Sequence, residues 1–225
     1  MGAKKDYSFY EKGSTMNHRG RLRKILNNKK FSQEEIKKFL IAEGLSKKPY
    51  HIYWIISLFI SGIIWLLPTI AKCSGWKSLK FFANLASMKF PLTVIIIGIL
   101  LIIAGISLIS QTSYRRKKLG GLQDVDETIY IIKEGPYRIV RHPDFLGQLF
   151  LFLPIPVVLS KWIPFTIFGV IYWILIICII TILIRIEEKL NIEKWGEEYQ
   201  IYMKEVPALN FIKGLWNLKK WSWLK

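Results

Sequence analysis

Three stretches of the chain run without a charged residue: 52–71, 92–110 and 162–184. Apolar residues are gathered into these blocks instead of recurring with a period. Each block is near or above the roughly 20 residues that a helix needs to cross ~30 Å of hydrocarbon. A fourth block, 145–160, is shorter and contains Pro154 and Pro156; by length alone it fits a core or re-entrant helix as well as a span. Charge favours a kinked fourth crossing. Lys and Arg outside the blocks number 13 in 1–51, 7 in 111–144 and 8 from Arg185 onward, against 4 in 72–91 and a single Lys161. Four crossings place the three basic-rich groups in one compartment, the cytosol by the positive-inside rule, whereas three would export the basic tail. The predicted fold is all-α: a polytopic integral membrane protein with four transmembrane helices. Both termini are expected in the cytosol, and 145–160 forms a tight antiparallel hairpin with the last span around Lys161.

The remaining sequence organises around these helices. Residues 1–50 form a basic arm in which FSQEEIKKFLIAEGL predicts one short amphipathic helix, with Ser32 and Glu35 at capping-box spacing and Gly44 at its end. Residues 51–110 hold the first two spans, where Gly98 and Gly105 allow close helix packing. The aromatic connection 72–91 suits the outer interface. Residues 111–215 form the candidate functional core: Gly120 and Gly121 end the second span, TIYIIKEG gives an apolar strip before a Gly-Pro turn, and the helix after Ile184 continues until Pro207. The tail 216–225, with its Trp and Lys residues, reads as an interfacial helix.

A formal net charge of +17 raises the question of nucleic acid. No nucleic-acid motif accompanies the basic residues, and their placement beside the spans is that of groups orienting a membrane protein and touching anionic lipid headgroups. Nucleic acid is not an expected partner. Cys73 and Cys178 have no disulfide or metal-ligand spacing, and no metal site is expected. The start, MGAKKDYSF, lacks the apolar core of a signal peptide.

Two polar clusters fall on the same side of the predicted hairpin. One is GPYRIVRHPDFLGQ at 135–148, which brings Arg138, Arg141 and His142 to the start of an apolar helix; the other is the carboxylate pair Glu187 and Glu188 just past the last span. Polar groups at this depth are expensive unless they pair or line a cavity. Each has a bland reading: orienting cations, a helix-capping His before Pro143, and a solvated Glu pair with Arg185 and Lys189.

Together the clusters are more specific. The run Gly135, Tyr137, Arg141, His142, Pro143, Phe145 and Gly147, followed by Glu187, Glu188, Leu190, Trp195, Gly196, Glu197, Glu198, Tyr199, Tyr202, Val206 and Pro207, resembles the isoprenylcysteine carboxyl methyltransferase family, whose wider relatives are the phospholipid N-methyltransferases. The resemblance covers about residues 92–215. It implies a cytosol-facing S-adenosylmethionine pocket closed by the C-terminal helix, beside an opening to the bilayer for a lipophilic or prenylated acceptor. It also implies cofactor contacts from Ile129, Tyr130, Ile131 and Ile132, largely through main chain, and from Tyr137, His142, Pro143, Phe145 and Glu187 with its neighbour Glu188. Two departures stand out. The family's acceptor-holding arginine falls at Leu183 here, leaving Arg185, about 200° of helical rotation from Glu187, as the candidate substitute. Asp144 stands where the family more often has a small or apolar residue.

The expected activity is carboxyl methylation of an isoprenylcysteine-like acceptor. The alternatives are phospholipid N-methylation, a nicotinamide-dependent membrane reductase resembling the sterol reductases, and a non-catalytic polybasic adaptor.

Overall fold

The computed structural model describes residues 33–46, 48–118 and 131–222. The arm before them, the Gly120–Gly121 pair, and Ile129 and Tyr130 of the strip lie outside the described residues. Every regular element among those described is helical, and a lone antiparallel bridge joins Met88 to Phe165.

The chain begins with α1 (Gln33–Ala42), which ends at Gly44 with φ +70°. Next come α2 (Lys48–Ser74), the short α3 (Lys80–Ala83), α4 (Leu92–Lys118), α5 (Pro143–Phe152), α6 (Ile155–Val158), α7 (Ile167–Trp195), α8 (Glu197–Glu205) and α9 (Phe211–Ser222). Helices α2, α4 and α7 are long and apolar enough to cross a membrane. Their outward faces expose residues such as Phe59, Ile63, Ile97, Leu100, Ile103, Ile174 and Ile182. Apolar surface on this scale belongs in lipid.

The fourth apolar block forms a kinked helix close to its expected bounds. Pro143–Val158 is an apolar but shorter helix, about 24 Å at 1.5 Å per residue, and it breaks between Phe152 and Ile155. The cause is local: Pro154 and Pro156 supply no N–H and leave carbonyls of the preceding turn without helical donors. Side chains of α7 take their place. Trp173 Nε1 donates to the Leu153 carbonyl at 2.7 Å and Tyr172 Oη to the Phe152 carbonyl at 3.3 Å. A break is tolerable within the membrane only when such partners exist.

The α5–α6 pair packs most extensively on α4, although the sequence pointed to α7. Glycine explains this choice. A Cβ on Gly105 would stand 2.6 Å from the Gly147 carbonyl oxygen, and one on Gly147 would meet Ile109 at 2.8 Å. The two backbones touch because neither residue has a side chain. Helix α2 packs on α7, and Trp65, Phe145, Tyr172, Ile176, Ile180 and Ile184 form the buried core between them. The long helix expected past Ile184 is divided at Gly196, where φ is +59°. That left-handed backbone suits glycine and turns α8 back over the bundle end.

Candidate functional site

The start of α2, the end of α4, the start of α5 and the end of α7 gather at one end of the bundle. The two motif clusters therefore meet. His142, 1% exposed, precedes Pro143 at the first turn of α5 and has no side-chain capping bond. Its Nε2 lies 3.3 Å from Glu188 Oε1 and its Nδ1 3.9 Å from Glu187 Oε2. Arg141 reaches the same Glu188 oxygen with Nη2 at 2.5 Å and Nε at 3.1 Å.

The Val-Pro step after α8 belongs to this knot. Arg141 N donates to the Pro207 carbonyl at 2.9 Å and His142 N to the Ala208 carbonyl at 3.2 Å. The Arg141 guanidinium also donates to the carbonyls of Met203, at 2.7 Å, and Val206. These oxygens end α8 and have no helical donors of their own. Tyr202 Oη closes the other side with a 2.6 Å bond to the Tyr137 carbonyl. The spacing of the two motifs is thus mechanical: Arg-His, Glu188, Tyr202 and Val-Pro clasp α8 against the start of α5.

Among the cavities beside this knot, two share Arg116 and Glu187. The smaller, about 30 Å³, is walled by Ile131, Ile132, Tyr137, Asn191, Trp195 and Tyr199. Burial pushes the phenols of Tyr137 and Tyr199 well above the usual tyrosine range, and burial does the same to Tyr202. They remain neutral donors at any physiological pH. Asn191 Oδ1 is buried there without a hydrogen-bond partner among the described residues. An aromatic slot with a buried acceptor and a carboxylate suits a flat nitrogenous ring bearing amine or hydroxyl donors. Its present volume holds about a water or two, so a ligand of nucleoside size must part α8 from the bundle to enter.

The larger cavity, about 100 Å³, draws on Tyr50, His51 and Trp54 of α2, Asp144, Phe145 and Gln148 of α5, and Leu183 of α7. Asp144, the departure noted in the sequence, is paired here: Arg116 Nη1 sits 3.2 Å from its Oδ2, with both side chains nearly buried. Sequence reading missed Arg116 because it lies in the run RRKK, which membrane orientation alone explains. Gln148 and Asn191 were missed too. Gln148 ends the 135–148 run without a role assigned to it, and Asn191 belongs to neither motif; their buried oxygens reveal them.

The predicted site residues separate into groups. Ile131, Ile132, Tyr137 and Glu187 line the smaller cavity, while Phe145 and Glu187 line the larger. His142, Pro143 and Glu188 line neither and stand behind the wall as its support. Arg185 is exposed and lines neither cavity, whereas Leu183 does line the larger one.

Among the described residues no group of His, Cys, Asp and Glu is placed to hold a metal ion. No curated protein and no solved structure matches the chain. Residues 93–198, which hold nearly all of α4 to α7 and most of both cavity linings, match the family model described as phospholipid methyltransferase.

Proposed function

We propose that the protein is an integral membrane methyltransferase that uses S-adenosylmethionine, held on the side of the smaller cavity, to methylate the headgroup amine of a phospholipid seated in the larger one. The family match supports methyl transfer to a lipid. The observation that carries the acceptor is the pair of carboxylates, Asp144 and Glu187, in the larger cavity. The guanidinium beside them, Arg116, is already engaged by Asp144. An ammonium group is attracted to such a site, whereas a carboxylate acceptor meets like charge. The basic residues Arg115 to Lys118 end α4 at the site end of the bundle, which supports a cytosolic site and cytosolic termini.

The cofactor's sulfonium would supply an electrophilic methyl group. The residues that fit it are Glu187 and the Asn191 oxygen for amine or hydroxyl donors and the Tyr137, Trp195 and Tyr199 rings for the base. Glu187, shared by both cavities, holds the acceptor ammonium and takes the proton it must lose before its nitrogen can attack. The apolar face of α2 and Phe145 excludes water from the acceptor side, and positioning does the rest. His142 and Glu188 orient Glu187 and the end of α7 without touching either substrate.

The isoprenylcysteine carboxylate expected from the motif is the competing acceptor, favoured by the presence of Arg116 in the larger cavity. Radiolabelled methyl transfer to phosphatidylethanolamine and to a prenylcysteine analogue separates the two. Label in the phospholipid amine is expected; label confined to a base-labile methyl ester on the prenylcysteine contradicts the amine reading.

A further inference from the structure

The larger cavity contains a polar atom that the mechanism above leaves unused. Gln148 stands one helical turn after Asp144, so both side chains lie on one face of α5. That face lines the cavity. The Gln148 Oε1 atom is buried and has no hydrogen-bond partner among the described residues. A buried carbonyl oxygen without a donor is a standing penalty, and a ligand that brings an N–H relieves it. Arg116 gives its Nη1 to Asp144, and an acceptor amine held between the carboxylates brings further N–H donors into the same cavity.

We infer that Gln148 restricts how many methyl groups the acceptor amine receives, selecting the amine richest in N–H. This rests on the amine-acceptor reading above. In each round the amine's lone pair forms the new nitrogen–carbon bond as the sulfur–methyl bond breaks with its electron pair left on sulfur. One N–H proton passes to Glu187. An unmethylated ammonium offers three N–H donors to three oxygen-bearing side chains, Asp144, Glu187 and Gln148. Each methyl removes one donor. After two rounds a single N–H remains, and the charged carboxylates outcompete the neutral amide for it. The Gln148 oxygen is then left unmet beside a methyl group, so the site holds the dimethylated amine less well than the unmethylated one. A site built to hydrogen-bond a donor discriminates against the analogue that lacks it.

The test supplies phosphatidylethanolamine, its N-monomethyl form and its N,N-dimethyl form separately, in mixed micelles with S-adenosylmethionine, and measures kcat/KM for each by mass spectrometry. The parent is expected to prefer the unmethylated lipid over the dimethylated one. Gln148→Met, nearly isosteric, is expected to shrink that preference about tenfold while S-adenosylhomocysteine binding stays at the parent value, which also reports that the variant is folded. Gln148→Glu keeps acceptor oxygens and is expected to retain or raise the preference. A parent that methylates prenylcysteine and no amine lipid overturns the underlying reading. A parent active on amine lipids, with the same preference in Gln148→Met, overturns the inference alone; so does loss of the preference in Gln148→Glu, should Gln148→Met not fold.

Discussion

The two cavities share Arg116 and Glu187 but are built from different parts of the chain. The smaller takes its rings and its amide from the strip at Ile131–Ile132, the Tyr137 turn, the end of α7 and the start of α8. The larger adds the first turns of α2, Tyr50, His51 and Trp54, which precede the stretch matched by the family model. Under the proposed function this difference is a division of labour, with donor chemistry assigned to the clasped core and acceptor choice to α2. The knot of Arg141, His142, Glu188 and Pro207 lines up the two halves, and of these residues Arg141 also lines the smaller cavity.

The comparison can be broken at its support. Arg141→Met leaves Glu188 and the carbonyls of Met203 and Val206 without their donor, and removing one partner of a buried ion pair destabilises by about 3–5 kcal/mol. Thermal unfolding in detergent should drop sharply, and α8 should become protease-sensitive. Next is the shared wall. Glu187→Ala should weaken S-adenosylhomocysteine binding about tenfold and lower kcat by roughly 10²-fold or more, since proton transfer to a placed base is worth about that much. The two sides should then separate. Asn191→Leu should weaken S-adenosylhomocysteine binding by about three- to tenfold with acceptor KM unchanged, because it removes one buried acceptor. Trp54→Ala should do the reverse, raising acceptor KM several-fold and leaving cofactor affinity alone. If both variants shift both ligands equally, the two cavities act as one.

Much of this architecture was legible in the sequence for a simple reason. Membrane spans are long and unbroken, and 92–110 became α4 because nothing in it favours another state in lipid. The meeting of His142 with Glu187 and Glu188 was also readable, since two motifs with distinct spacing pointed to one end of the bundle. Other features were not. The donors from α7 that meet the Phe152 and Leu153 carbonyls at the kink are tertiary information. The break at Gly196 had a local signal, a glycine ahead of two acidic residues, but the continuing apolar period masked it. The resemblance pointed to Glu187 of the pair, and the structure adds what Glu188 does: its Oε1 receives Arg141 and His142 while Glu187 faces the cavities. Arg185 and Asp144 make a similar contrast. The first is an exposed cation with no ion pair among the described residues, and the second, an anomaly in sequence, is explained by its pairing with Arg116.

The central claim is that one carboxylate, Glu187, stands between a cofactor and its acceptor. Calorimetric titration of S-adenosylhomocysteine into the purified parent and the Glu187→Ala variant, each with and without phosphatidylethanolamine in the micelle, tests it most directly. The account predicts micromolar binding to the parent, about tenfold weaker binding to the variant, and a response of cofactor affinity to the phospholipid in the parent that the variant loses. Equal affinity in both proteins, with the same response to the lipid, would contradict it.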